Sequence, residues 1–141
     1  MSLGASLSPA RTMPHFSTLV YPFLTVTTDA TASALTLTAA QILGGLILRD
    51  PNGAGRTDTL PTAALLVAAI PGCQVGSSFQ FDIRNTADAA ETITIAAGSG
   101  GTVSGTATIA QNNTKRFLVR ITAIAAGSET YTIYSIGTFV H

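Results

Sequence analysis

The sequence predicts an all-β fold: a single β-sandwich or jelly-roll-like barrel with one short helix and an extended N-terminal arm. From residue 33 onward, short runs alternate apolar and polar side chains with period two. They are rich in Thr, Ile, Val and aromatic residues and are separated by Gly, Asn, Asp and Ser. The 22 threonines and 22 alanines suit sheet faces whose layers pack closely. The first 32 residues differ, because Pro9, Pro14 and Pro22 interrupt any ladder or helix among otherwise apolar side chains. The expected division is an arm over 1–32 and a β-domain over 33–141.

Taken in order, the arm presents Phe16, Leu19, Val20, Tyr21, Phe23 and Leu24. Such a segment either wraps back on its own domain or lies across a neighbour and buries those side chains there. Its apolar stretch from Phe16 to Val26 is broken by Pro22 and by hydroxyls, so it is read as neither a signal peptide nor a membrane span.

Strands are expected over 34–38, 46–49, 78–85, 91–96, 102–109, 115–124 and 129–137. In the third, Phe79, Phe81 and Ile83 share one face while Gln80, Asp82 and Arg84 share the other, as a half-buried strand requires. In the sixth, Phe117, Val119 and Ile121 alternate with Arg116, Leu118, Arg120 and Thr122. The last strand has no polar face, since Tyr131 and Ile133 point one way and Tyr134 and Ile136 the other. It is either central between two layers or covered outside by another subunit, and the scarcity of charge favours the second.

Between the second and third strands, residues 60–72 break the pattern. Thr59 could cap a helix there, Pro61 suits its first turn, Ala and Leu favour it, and Pro71-Gly72 stops it. Its alternative is a buried strand. As a helix it would plug one end of the domain, and its nearly all-apolar surface needs cover on most sides.

Composition limits what such a fold does. Mean hydropathy is +0.41 and only 10% of the 141 residues are charged. A soluble domain usually carries about a quarter, so this chain is expected to hide surface against partner chains. Seven basic and seven acidic side chains cancel, leaving no electrostatic footprint for nucleic acid or an anionic membrane surface. Cys73 is the only cysteine, so no intrachain disulfide and no cysteine-rich metal site form.

The candidate chemical motifs resolve into turns. Gly98-Ser99-Gly100-Gly101 lacks the Gly-Lys-Ser/Thr ending of a phosphate loop and is expected to be a hairpin turn. The loop over 49–58 gathers acids, an amide and glycines but lacks the closing glutamate of a calcium loop. It is read as a surface turn held by Pro51 and Asn52-Gly53 with Arg–Asp pairing at its margins, and as the first place to look for a metal. The histidines, His15 and His141, lie in the arm and at the last position. Asp82, Asp88, Glu91 and Glu129 fall in exposed faces or turns, and Cys73 reads as a small buried apolar residue. No enzyme, cofactor or metal is expected. Asn112-Asn113-Thr114 matches a glycosylation sequon, but a tight turn explains it. Lys115, Arg116 and Arg120 are the clustered cations, and the two arginines could meet acids of a partner.

Residues 49–54 and 56–63, Pro71-Gly72, Val75-Gly76-Ser77-Ser78-Phe79, Ile83-Arg84-Asn85-Thr86-Ala87-Asp88, residues 92–98 and Gly127-Ser128-Glu129-Thr130-Tyr131 together carry a resemblance. They are similar to small virion proteins of tailed bacteriophages, and similar stretches occur in proteins of large DNA viruses. The resemblance covers about residues 35–138 and leaves the arm outside. It implies a β-domain on the outer capsid surface of the kind formed by decoration, or cement, proteins, which are commonly trimers. On that expectation the chain forms a homotrimer that bridges major capsid protein subunits, without nucleic acid or membrane. Phe16, Leu19, Tyr21 and Phe23 of the arm, Arg116 and Arg120, and Tyr134 and Ile136 are the expected contacts. The alternative is a head-fibre or tail receptor-binding module for a host surface glycan, which the lack of tryptophan disfavours. A cell-wall hydrolase would need a placed pair of carboxylates, which the sequence does not offer.

Overall fold

In the computed structural model, which describes residues 23–141, the alternating runs form nine strands and two short helices. The strands are β1 (Thr25–Asp29), β2 (Gly45–Arg49), β3 (Arg56–Thr59), β4 (Ser78–Asn85), β5 (Ile93–Ala96), β6 (Gly101–Ser104), β7 (Thr108–Ile109), β8 (Asn113–Ala123) and β9 (Thr130–Val140). The helices are α1 (Ala39–Gly44) and α2 (Ala63–Ala69). Six strands make one sheet in the order β1-β2-β4-β8-β9-β6, and three make a second in the order β3-β5-β7.

Both sheets are mixed. In the larger one β1, β2 and β4 run parallel, β8 is antiparallel to β4 and β9, and β6 returns parallel to β9. In the smaller, β3 is parallel to β5 and β7 antiparallel to it. Parallel neighbours need crossover connections. The segment containing α1 links β1 to β2, and β3 with α2 lies between β2 and β4.

Alternation decides which side chains enter the core. Phe81 and Ile83 of β4, Phe117, Val119 and Ile121 of β8, and Tyr131 and Ile133 of β9 are buried from the large sheet, as the sequence predicts. They join Ile93, Ile95 and Ile109 of the small sheet and Ile42 and Leu66 of the helices in one hydrophobic cluster. Phe81 and Phe117 stack with ring centroids 5.4 Å apart, a separation within the favourable range for aromatic pairs.

Several expectations are corrected. Among the described residues there are two helices: the 34–38 segment contributes only an isolated bridge at Thr36, and Thr38 caps α1. The Thr38 hydroxyl accepts from the Gln41 N–H, while the Gln41 side chain accepts from the Thr38 N–H, closing a capping box. The second helix is capped by Thr62, not Thr59, so Pro61 precedes the cap. Residues 25–29, placed in the arm, form β1. Gly98–Gly101 is not a hairpin turn, because β5 and β6 belong to different sheets. The expected strand over 102–109 is divided at Gly105, whose φ of 93° turns the chain from the large sheet toward the small one.

The 49–58 loop also differs from a surface turn. Asn52 and Gly53 have φ of 50° and 97°, as a tight turn requires, but the Arg–Asp pair at the margins is internal. Arg49 and Asp58 are each 1% exposed. Arg49 Nε donates to Asp58 Oδ2 at 2.8 Å and Nη2 to Oδ1 at 3.3 Å. The remaining guanidinium hydrogens reach the carbonyls of Thr31, Asp50 and Ser33. Asp58 Oδ1 also accepts from the Leu35 N–H at 2.9 Å. Glu91, expected in an exposed turn, is buried, with Oε1 accepting from the Gly53 N–H at 2.7 Å and Oε2 unpartnered. Cys73 is only partly buried, at the margin of the core.

Candidate partner-binding surface

The outward side chains of β4, β8 and β9 define one face of the large sheet. Arg116 stands directly across from Asp82 on β4 and from Gly137 on β9. It donates twice to the Asp82 carboxylate, Nε to Oδ1 and Nη2 to Oδ2, both at 2.9 Å. Its guanidinium also lies over the Phe139 ring, 5.5 Å from the centroid. Arg116 is therefore held within the chain, while Arg120, on the same face and opposite Ser78 and Thr132, is exposed.

A β-bulge places the apolar contribution of β9. Arg116 pairs with Gly137 but the next residue, Phe117, pairs with Ser135, which leaves Ile136 as the extra residue. Ile136 is 54% exposed and Tyr134 half-buried on the outward side, opposite Leu118. Phe139, opposite Thr114, continues the exposed apolar row, while Val140, next along β9, is exposed on the other side of the strand. At the opposite edge, Val26 on β1 is exposed beside Leu46. Phe23 and Leu24, just ahead of β1, are 87% and 77% exposed. The structure thus brings Arg116, Arg120, Tyr134 and Ile136 onto one face and sets Phe23 beyond its far edge. Phe16, Leu19 and Tyr21 lie outside the described residues.

No family model, curated protein or solved structure matches the chain.

A second feature escaped the sequence reading. The two helices flank an open apolar groove of about 650 Å³ whose lining includes Leu37, Ala40, Pro61, Leu65 and Ala68, with no charged side chain. Of α2, only Ala63 and Leu66 are buried, whereas Ala64, Leu65, Ala68 and Ala69 are exposed. The signal was present as a helix without a polar side, but nothing in the sequence located the opposing wall.

Several of the groups that could do chemistry are engaged in structure. The Asp58 carboxylate is taken by Arg49, Asp50 Oδ1 accepts from the Asn52 N–H, and Asp82 holds Arg116. Lys115 is buried and donates to the Thr106 carbonyl at 2.7 Å, and that burial lowers the pKa of its ammonium group. The Tyr131 hydroxyl donates to the Pro61 carbonyl and accepts from the Gly98 N–H, and burial raises its pKa. Among the described residues, no three His, Cys, Asp or Glu side chains gather as metal ligands, and no helix is long and apolar enough to cross a membrane.

Proposed function

We propose that this chain is a capsid decoration protein, a trimer that stabilises a viral head by bridging neighbouring shell subunits from outside. The two sheets are read as the layers of a β-sandwich, with the outward face of the large sheet turned to the shell. The observation that carries the reading is where charge and apolar surface fall. Of the seven basic and seven acidic side chains, Arg49, Asp58, Glu91 and Lys115 are buried. Arg116 and Asp82 neutralise each other on the sheet face. The exterior is left poorer in charge than the composition alone implies, while Val26, Ile136, Phe139 and Val140 stay exposed. Surfaces of this kind mark interfaces with other proteins.

The mechanism is binding alone. Contacts at Tyr134, Ile136 and Phe139 bury apolar area, worth about 25 cal/mol per Å² before the costs of association. Arg120 adds orientation against an acidic partner, and three linked copies multiply a modest single-site affinity. The reading is tested by the copy number of this chain relative to the major shell protein in purified particles, measured by quantitative mass spectrometry. Hundreds of copies at a fixed ratio are expected. A few dozen would favour a fibre or tail module instead, and absence from particles would end the virion reading.

A further inference from the structure

We propose that the apolar groove between α1 and α2 is the receptor for the N-terminal arm of a second copy of this chain, filled by the apolar side chains of Phe16, Leu19 and Tyr21. The groove is uncharged and lined almost wholly by Ala, Leu, Pro and Thr, and its volume of about 650 Å³ falls among cavities that hold ligands of some size. One of its walls is a helix whose sequence, AALLVAA, has no polar side. A helix that is apolar all round is a buried helix, yet Leu65 stands 58% exposed. The threonines at the helix starts do not solvate the groove, because the Thr38 and Thr62 hydroxyls accept from the N–H groups of Gln41 and Leu65. The occupant therefore binds by shape and apolar contact and carries no charge into the groove.

The arm has that chemistry. From residue 12 to residue 28 the chain holds no Asp, Glu, Lys or Arg, and between Phe16 and Tyr21 four of six side chains are large and apolar. Pro14 and Pro22 bracket this segment and favour extended backbone ahead of each.

The point where the described chain begins selects the copy. Gly44, at the end of α1, lies against Thr25 closely enough that a Cβ there would sit 3.2 Å from its side chain. The groove starts at Ala40 on the same helix, roughly 6 Å away along its axis. An arm filling its own groove would lay the residues just ahead of Thr25 along α1 and bury them. Phe23 and Leu24 do the opposite: Phe23 stands 87% exposed, and Leu24, 77% exposed, lies over Gly45 at the start of β2 beside Gln80, not along the groove. Twenty-two preceding residues span up to about 70 Å when extended, ample to reach a neighbour. Each copy then donates one arm and receives one, reciprocally in a dimer or head-to-tail around a closed ring. The inference goes beyond the capsid reading, since it concerns only how copies join.

The test uses the full chain, with Cys73→Ser as background and a cysteine pair at Leu19→Cys and Ala68→Cys. Under mild oxidation the pair is expected to give covalent multimers, with mass in multiples of the 14.4 kDa chain. An intrachain disulfide at monomer mass would overturn exchange between copies, and no disulfide would overturn the groove as receptor. Sedimentation of a chain lacking residues 1–22, and of Leu65→Asp at its exposed position, gives a second reading free of disulfide geometry. Both are expected to fall to monomer mass with unchanged circular dichroism. Retention of the full-length assembly by either variant, or a monomeric full-length chain, would sink the proposal. No virus particle is needed, so failure here and failure of capsid binding are read separately.

Discussion

Arg49 has all five guanidinium hydrogens engaged inside the protein, two on Asp58 and three on backbone carbonyls of Thr31, Ser33 and Asp50. The interaction ties the segment after β1 to β2 and β3 without any helix or strand pairing of its own. Because both charges are buried, removing one leaves the other uncompensated. Arg49→Met is expected to destabilise the fold by about 3–5 kcal/mol. The double variant Arg49→Met/Asp58→Leu should lose much less than the sum of the single changes, as a denaturation cycle would show. Asp29 offers a gentler case. Hydrogen bonding by the Thr31 side chain, then by the Thr31 N–H at 2.8 Å, and the charge of Arg49 at 3.9 Å hold its carboxylate pKa below the ordinary 3.8. A folded-state pKa below the unfolded one contributes stability that is complete above pH 3.8 and lost as pH falls through the folded value. Asp29→Asn keeps the acceptor oxygen but removes the charge. Its stability deficit at neutral pH should shrink in acid, and a deficit independent of pH would deny the charge any part.

At the scale of elements, the loop joining β5 to β6 runs so close to its neighbours that its glycines are required by space. A Cβ on Gly98 would strike the carbonyl oxygens of Leu60 and Pro61, and one on Gly101 the ring of Tyr131. Gly101→Ala is therefore expected to cost at least about 1–3 kcal/mol by overpacking, read as a lower denaturation midpoint. Tyr131→Leu in the same chain should relieve part of that cost if the ring is the obstacle. This loop also shows where the sequence stops being legible. The inward residues of β4, β8 and β9 could be read from alternation, since period two assigns faces. Alternation does not assign partners, so β6 parallel to β9 and β5 in another sheet left no trace in the pattern. The capping box of α1 was visible as Thr38-Ala39-Ala40-Gln41, but six residues are too few for helical periodicity to outweigh the alternation before them. On the outward face of the large sheet, the positions of Tyr134 and Ile136 were legible because β9 has no polar side. Phe139 was not, because the bulge at Ile136 shifts the register on which its orientation depends.

For the whole molecule, the arrangement leaves two kinds of apolar surface. One is the outward row on β9, and the other is the groove beside α2, which faces the second copy in the assembly proposed above. Low charge alone announced that such surfaces exist; placing them required knowing that Arg49, Asp58, Glu91 and Lys115 turn inward and that Asp82 neutralises Arg116. The mixed pairing of the sheets has a further consequence, for the speed of assembly. β1 with β2, β2 with β4, β3 with β5 and β6 with β9 are all parallel, so none can zip up from a tight turn. Each must close a loop before any ladder bond offsets the lost entropy. A newly made chain therefore waits with the β4 edge that β2 later covers, and the β9 edge that β6 later covers, unpaired. In that interval unpaired edges of different chains can meet, and the rate of folding relative to encounter limits the yield of correctly folded protein.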